Sequence, residues 1–179
     1  MSQESNLTIT INPQGEVIRT LPIMMRVDRQ TGKLFARDEN SGREYSISEL
    51  EQMANSGDLA AQCAMGDYYN NEQNQDLRKA FVWYEKAAKQ NYARAQWNMG
   101  NIYGVGIVVE KDLGKALSWF EKAAIEGYLE AMLNLGRVFL MNDNYEKGIY
   151  WLEEADKFGH PEAKQDLEMA VKLRKLLGR

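Results

Sequence analysis

The chain has 179 residues, 44% hydrophobic and 27% charged, with a formal net charge of -4. That composition suits a soluble globular protein of one domain with at most a small addition, and its acidic balance argues against a nucleic-acid binder, which needs a basic stripe. A single cysteine, Cys63, excludes an internal disulfide; no apolar run approaches the ~18 residues of a membrane-spanning helix; and the opening "MSQESNLTIT" lacks the features of a secretory signal, so a cytoplasmic location without membrane insertion is expected.

Residues 1–47 read as strands. "NLTITIN" alternates Leu7, Ile9 and Ile11, the period of a half-buried strand. "EVIRT", "IMMRV", "KLFAR" and "REYSI" follow, and "NPQG" at 12–15, "RQTG" at 29–32 and "DENSG" at 38–42 are turn signals. Three or four short strands in a ribbon or meander are expected. So short a segment has too little core to stand alone, so it should pack on the first helices or on another molecule. A homo-oligomer through this β segment is a further possibility.

From about Ser48 onward the chain repeats itself. "AQCAMG" starts at Ala61, "AQWNMG" at Ala95 and "AMLNLG" at Ala131, with a weaker "AKQDLE" at Ala163; the intervals are 34, 36 and 32 residues. "KAFVWYEKAA" at 79–88 returns as "KALSWFEKAA" at 115–124. Both halves read as helices, and in the second half Phe81, Tyr84, Ala87 and Ala88 fall on one face, a spacing repeated by Leu117, Phe120, Ala123 and Ala124. The length variation lies between the two halves, as expected of a loop joining two packed helices.

Asp76, Asp112 and Asn144 stand where the second helix of each unit needs an N-cap. Asn91, Gly127 and Gly159 stand where it ends and the backbone turns left-handed. Upstream, "ISELEQMANSG" fits the second half of a unit, with Ser48 and Glu51 forming a capping box. Pro161 is expected to open a last helix running to about Leu177, giving eight helices. The segments are then 1–47 (β), a half-repeat at 48–57, repeats at 58–91, 92–127 and 128–159, and a capping helix at 160–179.

These residues resemble the Sel-one-like repeat, a branch of the tetratricopeptide-like α-solenoids. Residues 95–127 carry Ala95, Met99, Gly100, Tyr103, Gly106, Val109, Asp112, Lys115, Ala116, Trp119, Lys122, Ala123, Ala124 and Gly127 in the family's order, with Val108 in place of one loop glycine. The resemblance covers roughly 48–177. It implies a mainly α fold, a right-handed α–α superhelix, carrying the small N-terminal β ribbon. One helix pair cannot bury its apolar face alone, and stacked pairs need the same core residues in each unit. Trp83, Trp119 and Trp151 are expected in that core.

Little in the chain points to catalysis. No metal-ligand spacing, nucleophile elbow or phosphate loop occurs, and no cofactor or metal is expected. "YGVGIV" at 103–108 reads as a helix-pair turn, His160 as a solvent-facing turn residue, and the Glu153–Glu154 pair as solvated charge.

The resemblance implies work in assembling other proteins, with the first helix of each pair lining a concave face. Counting from the glycine of "MG" or "LG", that face would present Cys63, Asp67, Asn70, Trp97, Asn101, Leu133, Arg137, Leu140, Gln165 and Met169. Trp97 could either pack between units or meet a partner. The expectation is therefore a non-enzymatic adaptor or scaffold that binds a protein or peptide. An immunity-type inhibitor of a toxin is the alternative, and an enzyme or its regulatory subunit a more distant one.

Overall fold

The computed structural model describes residues 8–11, 17–20, 22–28, 31 and 33–178. Strands β1 (Thr8–Ile11) and β2 (Val17–Thr20) pair antiparallel, Thr8 opposite Thr20 and Ile11 opposite Val17. A separate antiparallel meander has the order β3 (Ile23–Val27), β4 (Leu34–Asp38), β5 (Glu44–Tyr45). The turn before β5 forms as expected. The Asp38 carboxylate accepts from the backbone N–H of Asn40 and Ser41, and Gly42 takes a φ of 72°. The expected turn at 12–15, and all of that at 29–32 but Thr31, lie outside the described residues.

Among the described residues eight α-helices follow: α1 (Ile47–Asn55), α2 (Leu59–Asn70), α3 (Leu77–Ala88), α4 (Ala93–Val105), α5 (Leu113–Ile125), α6 (Leu129–Met141), α7 (Tyr145–Lys157) and α8 (Ala163–Leu176). Helices α2–α3, α4–α5 and α6–α7 pack as pairs, and each pair stacks on the next to make the expected α–α array. The meander lies on its first helices. Ile23, Ala36 and Tyr45 are buried in one cluster with Leu50 and Ala54 of α1 and Ala61, Ala64 and Met65 of α2.

Glycine explains how tightly the pairs close. A Cβ added at Gly66, Gly100 or Gly136 would sit 2.4, 2.5 or 2.6 Å from Tyr84, Phe120 or Leu152 of the paired helix. A side chain there would push the pair apart, which is why "MG" and "LG" recur. The same register position in α8 is Glu168, which is exposed. A helix closing on α8 as α3, α5 and α7 close on theirs would meet this side chain instead of bare backbone.

Asp76, Asp112 and Asn144 cap α3, α5 and α7, accepting from the N–H of Lys79, Lys115 and Lys147. Asn91, Gly127 and Gly159 take φ of 62°, 85° and 87° as expected.

Four expectations are corrected. The capping box of α1 is Ser46 with Glu49, not Ser48 with Glu51. Both pairs fit the pattern, but β5 ends at Tyr45 and the helix begins directly after Ser46, so Ser48 already lies inside it. Pro161 lies in the turn before α8, which begins at Ala163. Trp83, Trp119 and Trp151 are half-buried at the rim of the core, while the next residue of each helix, Tyr84, Phe120 or Leu152, is the buried one. Lys86 Nζ lies 4.1 Å from the Trp83 ring centre and Lys122 Nζ 4.4 Å from that of Trp119, so each ring is roofed by a cation.

His160, finally, is 4% exposed rather than solvent-facing. It occupies the register position of Tyr92 and Tyr128. All three residues follow a left-handed residue and send their backbone N–H back to Ala87, Ala123 and Ala155 O. That geometry turns the side chain inward. His160 Nδ1 accepts from the Glu162 N–H, and Nε2 lies 3.4 Å from Glu130 Oε1.

Candidate partner-binding groove

Helices α2 and α4 lie side by side as first members of successive pairs, and a groove of about 400 Å³ opens over them. Its floor is a buried polar network. Arg94 on α4 is 7% exposed and its Nη2 lies 2.7 Å from Asp67 Oδ2 on α2. Asp67 Oδ1 in turn accepts from Tyr84 OH at 2.8 Å. Arg94 Nη1 donates to Ile23 O at 3.4 Å, which ties the β meander to the second repeat. Burial opposes the guanidinium charge, but Asp67 more than offsets it and holds Arg94 above its ordinary range. For the Tyr84 hydroxyl burial and Asp67 act in the same direction, and both raise it above its ordinary range.

Above this floor stand Asn70 at the end of α2 and Trp97 and Asn101 on α4. The side-chain amides of Asn70 and Asn101 make no hydrogen bond among the described residues. Trp97 stacks obliquely on Tyr128, ring centres 5.7 Å apart, so it packs against the next unit while it also lines the groove. Ile102, Val105, Ile107 and Val108 form an apolar wall. Val105 and Ile107 are 63% and 73% exposed, so the wall presents apolar surface at the mouth of the groove.

Four of the ten residues expected on the concave face meet here: Asp67, Asn70, Trp97 and Asn101. Cys63 and Leu133 do not face outward; at 0% and 1% exposure they belong to the interior between neighbouring units. Trp97 shares their register and emerges because its ring is too large to be engulfed. Burial pushes the Cys63 thiol up to about 12, so it is no reactive thiol. Leu140 is half-buried against Gly148 of α7. Arg137 is exposed but engaged, with Nε 2.6 Å from Asp166 and Nη2 2.7 Å from Glu162. Gln165 and Met169 are exposed on α8.

The apolar wall was missed from sequence. Its signal was Val108 in place of a family glycine, followed from the pair Ile107–Val108 in a stretch otherwise read as a turn. Among the described residues no three His, Cys, Asp or Glu side chains gather as a metal site, and no helix is long and apolar enough to cross a membrane.

A stack of helix pairs with an open, partly apolar groove over its first helices defines a repeat-solenoid protein. The Sel1 repeat profile matches residues 59–92, 93–128 and 129–155, and the chain belongs to the Sel1 repeat family. Among solved structures it is similar to a Sel1 repeat protein from Oxalobacter formigenes, at 31% identity and a TM-score of 0.62, over 68% of this chain and 96% of that one. It is similar as well to a protective antigen of uropathogenic Escherichia coli strains displaying an SLR fold, at 32% identity and a TM-score of 0.62. That match covers 68% of this chain but 27% of the longer antigen. Cysteine rich protein B of Helicobacter pylori shares the fold at 20% identity and a TM-score of 0.55. No curated protein matches the chain.

Proposed function

We propose that this protein is a non-enzymatic interaction module that takes a segment of a partner protein in the groove over α2 and α4. The observation that carries this reading is the make-up of the groove: unpaired amides of Asn70 and Asn101, the face of Trp97 and an exposed aliphatic wall, above an ion pair that neutralises itself. Amides can meet the N–H and C=O of an extended chain, and the wall can meet an apolar side chain. With the charges of Asp67 and Arg94 neutralising each other, the groove offers no net charge. The segment it suits is uncharged and apolar, and binding should depend little on salt.

The test begins with capture of a partner on the immobilised chain and its identification by mass spectrometry. Asn101→Lys together with Ile107→Asp then places two charges in the groove at positions that hold no core contact. Affinity should fall at least about tenfold with the circular dichroism unchanged. A partner bound as tightly by this variant as by the wild type would remove the groove from consideration.

A further inference from the structure

The groove over α2 and α4 does not end at its apolar wall. Beside it lies a second hollow of about 400 Å³, lined by Asp76, Leu77 and Arg78 at the start of α3 and by Ile107 and Val108 of the loop after α4. Leu77, Ile107 and Val108 line both, so the two hollows adjoin across those three side chains.

Charge distinguishes them. In the groove Arg94 is matched by Asp67. In the second hollow the Asp76 carboxylate is already engaged: it accepts from the Lys79 N–H and lies 3.2 Å from Lys79 Nζ. Arg78 is exposed and forms no ion pair among the described residues. Nothing in the helix asks for a cation there. Arg78 stands in the first turn of α3, where the helix dipole opposes positive charge, and the matching residues of α5 and α7 are Gly114 and Glu146. The second hollow therefore sets an uncompensated positive charge beside aliphatic surface.

We propose that the partner segment carries an acidic residue close to its apolar one. The apolar side chain rests on the wall of the groove, and the carboxylate reaches Arg78 in the adjoining hollow. This inference rests on the groove reading above and deepens it. An extended chain advances about 3.3 Å per residue, so the two residues stand roughly two to four apart. Arg78 is open to water, so the pair adds selectivity more than affinity, and the dependence on salt stays shallow.

Biotinylated dodecapeptides with blocked ends and a fixed central leucine test it, every other position being set in turn to each amino acid. The immobilised wild type should retain peptides with Asp or Glu two to four residues from the leucine over those with Asn or Gln there, by roughly twofold to fivefold. Arg78→Gln should lose that preference. Arg78→Glu should transfer it to Lys or Arg at the same position and still need the leucine. Both variants keep their circular dichroism, since residue 78 is exposed and a glutamate suits the helix dipole. Asn101→Lys with Ile107→Asp should retain none of the peptides. A leucine preference without an acidic one, or an acidic preference that survives Arg78→Glu, overturns this inference and leaves the groove standing. A wild type that holds no leucine peptide above its asparagine counterpart overturns the groove reading, and this inference with it.

Discussion

Two junctions between successive repeats use the same pair of positions with the charges exchanged. Where the first unit meets the second, Asp67 on α2 holds Arg94 on α4; where the third meets the last helix, Arg137 on α6 holds Glu162 at the start of α8, together with Asp166. In register Asp67 matches Arg137, and Arg94 matches Glu162. At these two junctions the signs are exchanged and the pair stays complementary, whereas the junction between them sets the uncharged Asn101 in register with Asp67 and Arg137. What differs is the surroundings. Arg94 and Asp67 expose 8% and 17% of their side chains, whereas Arg137 and Glu162 expose 43% and 63%. The first junction also reaches outside the array, to Ile23 of the meander. One geometry thus serves as an interior bond at one end and a surface clasp at the other.

That contrast can be broken most severely at the buried junction. Arg94→Ala leaves Asp67 charged and desolvated and strips Ile23 O of its donor. We expect a loss of about 3–5 kcal/mol, read from urea denaturation, together with faster hydrogen exchange in β3. A loss below about 1 kcal/mol would mean that the network is effectively solvated.

Exchanging the charges sharpens the comparison. Arg137→Glu with Glu162→Arg should melt close to the wild type, since both side chains reach water. Asp67→Arg with Arg94→Asp should not recover, because a carboxylate at 94 would face the Ile23 carbonyl. Equal recovery at both junctions would show that the meander contact carries no weight.

The smallest effect belongs to Arg137→Ala, a fall of roughly 1–3 °C in Tm at neutral pH. Hydrogen bonds from Arg137, and then its charge, hold the Glu162 carboxyl below its usual range. A carboxyl lowered in the folded state stabilises the fold above its unfolded-state pKa, and that stabilisation is lost as pH falls through the folded value. The gap between wild type and Arg137→Ala should therefore close as the buffer is taken below the ordinary carboxylate range. A gap that persists in acid would assign the effect to packing of the arginine stem.

The array was legible because each unit needs the same core residues, so caps, turns and helix faces could be checked three times over. Errors arose where the neighbouring unit decides. Trp83 and Tyr84 are one residue and 100° apart on a helix, and periodicity alone does not say which of them meets the next pair. Phe120→Ala should accordingly cost about 3–5 kcal/mol, and Trp119→Ala, half in water, clearly less in the same urea experiment. His160 reads as an isolated turn residue when taken alone, and as an inward one when set in register with Tyr92 and Tyr128. The inward-facing set was read from register too, but register gives direction and not depth. Cys63 and Leu133 sank into the interior where the larger Trp97 could not. Sequence alone leaves Arg137 open to a partner because its ion partners, Glu162 and Asp166, lie in the next unit along the chain.

The glutamate at position 168 also bears on how such an array could be lengthened. A designer who joined another helix pair after α8 would ask it to close on a carboxylate where the other pairs close on bare backbone. A copied unit spliced between α5 and α6 meets glycine on both sides and a complete set of matching turns. Gene duplication within this lineage would face the same choice, so growth from the middle is the easier route, and an extension beyond α8 would first require Glu168→Gly.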